Sequence, residues 1–247
     1  MTVDAACVIA DRAMARLRPQ ATAVIAVAGP VAVGKSTLAV AVGATLRARG
    51  TTAEVVSTDG FLFPLAELEA RGLAMRKGFP ESYDVESLRA FLAAVRDTQH
   101  RAHDVAVPVY SHETYDILPD VHRPVPPVAV VVLEGVNALS ATTGLVDLGV
   151  YVDAPLSVIE TWYVDRFVHL VDVATPGSFY ERFAALEPEA LVDTAVAVYR
   201  SVNVPNLTDH IGPSQWLAVV VVEKRADHGV GSIVDRGVGD GVDRQGG

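Results

Sequence analysis

The sequence predicts an α/β protein built on a doubly wound, mostly parallel sheet. Short apolar runs rich in Val, Ala and Ile alternate with segments of helical periodicity. The first run is followed by a glycine-rich loop that ends in Gly34-Lys35-Ser36-Thr37, and then by a helical segment. A strand, a phosphate-binding loop and a helix in this order begin such a fold. Its ligands gather beyond the carboxyl ends of the strands.

Predicted strands and helices follow one another along most of the chain. Five apolar runs without polar alternation are typical of strands covered on both faces, namely residues 23–28, 53–57, 128–133, 150–152 and 217–222. Helical patterns occupy residues 35–49, 85–98, 155–171 and 189–202. Gly50 ends the first helix, and Asp84 is a suitable N-cap for the second.

The chain is long enough for one sizeable core, with 247 residues of which 50% are hydrophobic. We expect a single domain over residues 1–228. Residues 229–247 are dominated by Gly, Val, Asp and Arg, and we predict a mobile glycine-rich tail there. Residues 61–84 lie between a strand and a helix and are predicted to form an excursion that covers a ligand.

Charge and composition exclude several classes of function. The formal net charge is −10 without a dense Lys/Arg run, so neither nucleic acid nor an anionic membrane is an expected partner. Cys7 is the only cysteine, which excludes an internal disulfide and a cysteine metal cluster. The apolar runs are too short to cross a bilayer, and the N-terminus lacks a signal-peptide pattern. We therefore expect a soluble cytoplasmic protein.

Residues 29–37 contain a complete phosphate-binding loop, or P-loop. Its glycines let backbone N–H groups face phosphate oxygens, Lys35 reaches the β- and γ-phosphates, and the Ser36 hydroxyl ligates Mg²⁺. The sequence thus predicts a site for ATP or another nucleoside triphosphate. The residues of this site are Gly29, Val31, Ala32, Val33, Gly34, Lys35, Ser36 and Thr37.

Two acidic residues follow predicted strands. Asp59 comes just after residues 53–57 and is our candidate for the base that accepts or orients a substrate hydroxyl. The alternative is an ordinary turn aspartate before glycine. Glu134 ends the next apolar run, where a carboxylate helps to hold Mg²⁺ in P-loop proteins. Apolar strands also end in acids without any such function.

A predicted helix places Tyr163, Arg166, Phe167 and Leu170 on one face. An arginine on an aromatic and apolar stripe needs an anionic partner, and the simplest one here is the transferring phosphoryl group. The alternative is core packing in which Arg166 extends to solvent.

A loop histidine and a neighbouring tyrosine offer a polar aromatic wall. His112 and Tyr115 suit a ligand with hydroxyl and amide groups, although a lone loop histidine is more often simply exposed. His100 and His103 are assigned no metal, because no further ligands stand at a suitable spacing.

Several stretches in one order resemble bacterial type I pantothenate kinase, of the phosphoribulokinase and uridine kinase group of P-loop kinases. The resemblance covers about residues 23–228. The stretches are Val31-Ala32-Val33-Gly34-Lys35-Ser36-Thr37, Thr58-Asp59-Gly60-Phe61, Arg76-Lys77-Gly78-Phe79-Pro80-Glu81-Ser82-Tyr83-Asp84, Pro108-Val109-Tyr110-Ser111-His112, Tyr115-Asp116-Ile117-Leu118-Pro119, Leu133-Glu134-Gly135-Val136-Asn137, Trp162-Tyr163, Arg166-Phe167, Asn203 and Asn206-Leu207.

The resemblance implies a P-loop kinase fold and transfer of the γ-phosphoryl group of MgATP to the primary hydroxyl of pantothenate. It implies that Lys35 and Ser36 hold phosphate and Mg²⁺, that Asp59 engages the hydroxyl, and that Arg166 stabilises the transferred charge. The implied substrate-binding residues are Tyr110, His112, Tyr115, Tyr163, Phe167 and Asn203. Lys224 and His228 match positions near the nucleotide. A homodimer and inhibition by coenzyme A are further implications.

The chain also departs from the family pattern. Val40 replaces an arginine, residues 170–174 replace an aromatic stretch, and Gln215-Trp216-Leu217 lacks two arginines. The stretch before the first predicted strand is short, which leaves open a start upstream of Met1. Two other functions stay open: phosphorylation of a related alcohol, and a regulatory protein that binds a nucleotide or coenzyme A with weak turnover.

Overall fold

The structure is a computed structural model that describes residues 4–97 and 103–237. Strands within this part of the chain are β1 (Ala23–Ala28), β2 (Ala53–Ser57), β3 (Val105–Ser111), β4 (Asp116–Val125), β5 (Val130–Glu134), β6 (Leu148–Asp153), β7 (Val220–Lys224) and β8 (Val230–Asp235). The longer helices are α1 (Ala5–Met14), α2 (Lys35–Ala48), α3 (Leu65–Ala70), α4 (Val85–Arg96), α5 (Leu156–Asp172) and α6 (Pro188–Val198).

The main sheet has the strand order β2-β5-β1-β6-β7-β8. Its first five strands are parallel, and β8 pairs antiparallel with β7 at the edge. Helices cover both faces, so the predicted doubly wound α/β fold is confirmed. The register sets Ser57 beside Glu134, which brings the carboxyl ends of β2 and β5 together.

Two apolar layers explain why the strands lack polar alternation. All six side chains of β1 are buried, and successive residues contribute to opposite faces. One layer packs on α1, α2 and α5 through residues such as Ile9 and Leu46. The other packs on α4 and the β3–β4 pair through Phe91 and Val107. A central parallel strand covered on both sides has no face to give to solvent.

The chain around residue 205 follows an unusual helical path. After α6, π-helical turns at Tyr199–Asn203 and Leu207–Ile211 flank a short α-helical turn, Val204–Asn206. A 3-10 helix at Gly212–Leu217 follows, so β7 begins at Val220, after the predicted start at residue 217. π-Helical turns are rare and often occur at functional sites.

The prediction of a mobile tail is wrong for Val230–Asp235. These residues form β8, with Val221 beside Val234 and Val222 beside Ile233. Without β8 the edge of β7 would leave a row of unpaired backbone groups. Strand β8 pairs with these groups, and its Val230 and Ile233 pack against the apolar core. Thr98, His100 and residues 238–247 of the predicted tail lie outside the described residues.

A two-stranded antiparallel sheet, β3–β4, was absent from the predicted elements. Its strands carry Pro108, Pro119 and Pro124, and β4 is largely exposed. Prolines and polar side chains weaken a strand pattern that is judged by apolar runs. This hairpin supplies one wall of the candidate site.

Candidate active site

A cavity of about 230 Å³ lies at the carboxyl ends of β1, β2 and β5. The P-loop forms the floor of the cavity. Helix α5 and the π-helical segment, residues 199–211, form one side, and the β3–β4 hairpin with the loop before α4 forms the other. The structure brings together here most of the residues predicted from the sequence, namely Val31, Ala32, Lys35, Ser36, Asp59, Tyr110, His112, Tyr115, Glu134, Tyr163, Arg166, Phe167 and Asn203. Gly29, Val33, Gly34 and Thr37 belong to the P-loop beneath it.

The P-loop connects β1 to the first turn of α2. Gly29 has φ of +148° and packs so closely on β6 that a Cβ atom would overlap the carbonyl oxygen of Val152. Only glycine fits that contact. Gly34 is the N-cap of α2, so the backbone N–H groups of the first helical turn face the cavity as an anion site.

Lys35 lies under the loop and is 8% exposed. Its ammonium donates a hydrogen bond of 2.7 Å to the carbonyl oxygen of Pro30. Burial lowers the pKa of Lys35 to about 8, an effect that the charges of Glu134 and Asp59 partly offset. A buried cation is costly without an anionic partner, and a phosphate group would supply one.

The two predicted acids stand at neighbouring strand ends. Asp59 lies in the 3-10 turn Thr58–Phe61 after β2, where the Ser57 hydroxyl accepts a hydrogen bond from its backbone N–H at 3.3 Å. Glu134 ends β5 and is 7% exposed. Both carboxylates line the same cavity as Lys35, and their charges raise the pKa of this lysine.

Ser36 and Glu134 offer oxygen ligands beside the P-loop. The Ser36 side chain is exposed, whereas the Glu134 carboxylate is buried in the cavity wall. Mg²⁺ in kinases uses one or two such ligands together with phosphate oxygens and water. The oxygen donors present fit that coordination. The described residues form no cluster of three His, Cys, Asp or Glu side chains that could bind a metal alone.

Helix α5 presents Tyr163, Arg166 and Phe167 to the cavity. Arg166 lines the cavity, and its charge lowers the pKa of both Lys35 and His112. No acidic partner for Arg166 lies within ion-pair distance among the described residues. An arginine free of carboxylates is available for an anionic ligand.

Aromatic side chains form the wall opposite the P-loop. Tyr110 contacts His112 edge-on at 5.1 Å between ring centroids, and Tyr115 stacks on Phe179 at 4.2 Å. Burial raises the pKa of Tyr163 to about 12, an effect that the neighbouring Asn203 side chain partly offsets. Burial also lowers the pKa of His112, which favours its neutral imidazole.

Lys77 is the main cavity residue that was not among the predicted site residues. Its ammonium donates a hydrogen bond to the carbonyl oxygen of Tyr115 and lies 4.1 Å from the Tyr115 ring centroid and 5.0 Å from that of Tyr110. Burial lowers its pKa to about 8. The signal was the Arg76-Lys77-Gly78 stretch, which supported the resemblance but received no role. Tyr83, Tyr180 and Asn206 also line the cavity and were not predicted.

Lys224 and His228 are not among the residues that line this cavity, and Lys224 lies beside the P-loop. His228 stacks on Trp162 at 4.3 Å, and the Lys224 ammonium lies 5.2 Å from the same ring. A Cβ atom on Gly34 would be 2.7 Å from the Lys224 nitrogen, so this lysine approaches the loop directly. Val40, on α2, exposes 56% of its surface.

The fold and the site define a P-loop kinase. Residues 24–170 match the phosphoribulokinase and uridine kinase family, and this chain belongs to that family. Among the described residues, no helix is long and apolar enough to span a membrane.

Curated relatives agree with the resemblance to pantothenate kinase, which is thereby confirmed. A pantothenate kinase of Rhodopseudomonas palustris is 40% identical over 229 residues, which are 86% of this chain and 71% of the relative. A pantothenate kinase of Leifsonia xyli is 44% identical over 232 residues, which are 89% and 71% of the two chains. The D-glycerate 3-kinase structure from Cryptococcus neoformans matches the fold with a TM-score of 0.66 and 13% identity, over 94% of this chain and 100% of the other.

Proposed function

We propose that this protein is an ATP-dependent pantothenate kinase. It transfers the γ-phosphoryl group of ATP to the primary hydroxyl of pantothenate, which yields 4'-phosphopantothenate and ADP, the first step towards coenzyme A. The observation that carries the proposal is one continuous cavity in which the P-loop lysine and two acids face a wall of tyrosines and histidine. Phosphate groups fit the first half of the cavity, and a small polar acceptor fits the second.

Positioning and charge stabilisation provide most of the catalysis in phosphoryl transfer. Lys35 and the N–H groups of the α2 N-terminus bind the β- and γ-phosphates. Arg166 binds the equatorial oxygens of the transferring group, whose charge it stabilises. Ser36 and Glu134 would hold Mg²⁺, which neutralises phosphate charge when bound.

Asp59 is the base in this proposal. Its carboxylate accepts a hydrogen bond from the acceptor hydroxyl and takes up the proton as the oxygen–phosphorus bond forms and the bond to ADP breaks. The Lys35 ammonium and the Asp59 carboxylate attract each other, which holds the base beside the phosphate-binding residues.

The acceptor lies against Tyr110, His112, Tyr115, Tyr163 and Asn203, with Phe167 closing the apolar side. Pantothenate carries hydroxyl groups, an amide and a carboxylate. The wall offers phenol and amide groups for the first two, and the Lys77 ammonium offers a counter-charge for the third. Lys224 lies beside the P-loop, and His228 and the Lys224 ammonium both contact Trp162, on the side where we place the nucleotide base.

We further propose a cytoplasmic homodimer that coenzyme A inhibits, as the resemblance implies. A kinase for a related alcohol is the second candidate. The observation in its favour is Leu170, which lines the cavity at the start of the stretch where this chain departs from the family. That end of the cavity would contact the part of the acceptor farthest from the P-loop.

The test is ADP release from MgATP with and without pantothenate, in the wild type and in Asp59→Asn. We expect pantothenate-dependent release that falls by about 10²- to 10⁴-fold in the variant, while ATP still binds, because only the proton acceptor is removed. Asp120→Asn, an exposed carboxylate on β4, is the matched control and should retain full activity.

Two other outcomes would contradict the proposal. ATP binding without stimulation by pantothenate, but with stimulation by another alcohol, would assign a different acceptor. Equal, weak turnover by the wild type and Asp59→Asn would favour a regulatory protein that binds a nucleotide.

A further inference from the structure

Two segments far apart in the sequence meet at the edge of the acceptor half of the cavity. One is the loop of residues 76–79 before α4, and the other is the π-helical segment after α6. The Asn206 amide nitrogen donates a hydrogen bond of 2.8 Å to the carbonyl oxygen of Gly78, across 128 residues of chain. Nearby, Phe79 and His210 meet edge-on at 5.8 Å between ring centroids. The loop is thus docked on the π-helical segment.

Buried polar side chains hold Gly78 on both sides. The Gly78 N–H donates to the Ser82 hydroxyl at 2.9 Å, and that hydroxyl donates to the carbonyl oxygen of Phe79 at 2.7 Å. Ser82 is 0% exposed and Asn206 is 6% exposed. Gly78 itself has φ of +91°, a conformation that other residues rarely adopt. Both polar groups of this residue therefore have fixed partners.

The amide of Asn206 is not explained by stability alone. Its oxygen is buried without a hydrogen-bond partner among the described residues. A buried, unpaired acceptor is unfavourable, and leucine, whose side chain has the same branched shape, would avoid it. The bond to Gly78 is what the asparagine provides and leucine cannot.

Holding Gly78 also restrains Lys77, the preceding residue. The Lys77 ammonium reaches over the Tyr115 and Tyr110 rings and donates to the Tyr115 carbonyl oxygen. This side chain crosses from the loop to the hairpin wall, so its reach depends on where the 77–78 backbone lies. A shift of that backbone would move the ammonium away from the acceptor.

We propose that Asn206 is a positioning residue for acceptor binding, which acts by fixing the Gly78 carbonyl and through it the ammonium of Lys77. This inference rests on the proposed function, because it assigns a means of binding the pantothenate carboxylate. Asn206 acts through the loop and has no direct part in phosphoryl transfer.

The test compares Asn206→Leu with the wild type in steady-state kinetics. We expect the KM for pantothenate to rise about tenfold, the effect expected when one hydrogen bond that supports a charged contact is lost. We expect kcat and the KM for ATP to stay within about twofold, because the P-loop and Asp59 are untouched. Ser201→Ala, an exposed residue of the preceding π-helical turn whose hydroxyl donates to the Ala197 carbonyl oxygen, is the matched control and should leave every constant unchanged.

A double-mutant cycle separates positioning from a structural role. If Asn206 acts through Lys77, Asn206→Leu should change the pantothenate KM by less than about twofold in a Lys77→Met background. A full tenfold effect in that background would overturn the proposal. Ser82→Ala removes the hydrogen bond to the Gly78 N–H and should also raise the pantothenate KM. This variant tests the proposal if Asn206→Leu does not fold.

Failure of this inference differs from failure of the proposed function. Absence of pantothenate turnover in the wild type would refute the function. Wild-type turnover with an unchanged pantothenate KM in Asn206→Leu would refute only the role of Asn206. Equal rises of both KM values together with a lower Tm would show general destabilisation and would also refute it.

Discussion

At the level of single residues, the candidate site contains one buried lysine and one half-buried lysine. Lys35 lies beneath the P-loop and Lys77 lies over the tyrosine wall, and burial lowers the pKa of each to about 8. The free protein holds these cations with backbone carbonyl groups as partners. Because a carbonyl compensates a buried charge only in part, both sites are suited to anionic ligands.

The lowered pKa of Lys35 predicts that stability depends on pH in a definite direction. An unfolded lysine binds its proton up to about pH 10.5, whereas the folded one releases it near pH 8. Between these values the unfolded state binds more protons, so the free energy of unfolding rises with pH. We expect a gain on the order of 1 kcal/mol from Lys35 between pH 7.5 and pH 9.5.

Urea unfolding of the wild type and of Lys35→Met at the two pH values measures this gain. The variant should gain less with pH than the wild type. The contribution of Cys7, whose pKa is raised by its hydrogen bond to Asp4 and which therefore acts in the opposite direction, cancels in the comparison. The same pH dependence in both proteins would show that Lys35 is not the group responsible.

The β3–β4 hairpin positions the aromatic wall at the level of structural elements. It carries Tyr110, and its Arg123 bonds both to the Glu54 carboxylate at 3.0 Å and to the Val55 carbonyl oxygen at 2.8 Å. Strand β2 lies at the edge of the main sheet, so Arg123 pairs with a backbone group that the sheet leaves free. One side chain thus ties the hairpin to the sheet.

We expect Arg123→Ala to loosen the hairpin. The free energy of unfolding should fall by about 1 kcal/mol, and the KM for pantothenate should rise more than the KM for ATP, because the hairpin contributes only to the acceptor wall. Glu54→Gln is the matched control. It removes the charge pair but keeps the carbonyl bond, and it should cost less than about 0.5 kcal/mol because partly exposed pairs contribute little. A larger loss from Glu54→Gln than from Arg123→Ala would contradict this account.

At the scale of the whole molecule, the parallel sheet gathers the site. Strands β1, β2 and β5 end at one edge, where they deliver the P-loop, Asp59 and Glu134 to the cavity. Helix α5 and the π-helical segment then add their residues from the second half of the chain. Parallel strands all end at this edge, because each crossover connection returns the chain to the opposite edge of the sheet before the next strand begins.

The proposed homodimer predicts the mass of the native particle. Light scattering on the purified protein at micromolar concentration should give twice the chain mass of 26.1 kDa. A particle of single-chain mass across that concentration range would remove the dimer from the proposal and leave the kinase activity unaffected. Trp216, which is 82% exposed, offers a fluorescence signal for any change of environment on assembly.

The sequence by itself determined the central strands, the P-loop and the family. Fully buried parallel strands must be apolar throughout, as in β1, and phosphate binding demands glycines and a lysine at fixed spacing. Asp59 and Glu134 were predicted at the site because they directly follow such strands. These features depend on neighbours in the chain, so local patterns report them.

Only the tertiary structure decided which distant groups meet. Lys77 lies beside Tyr115 because the loop folds onto the hairpin, and Asn206 finds its partner 128 residues away. Strand β8 forms because β7 offers an unpaired edge, although its own residues resembled a tail. Contacts of this kind depend on packing between elements, and packing free energy is not a property of any one segment of the sequence.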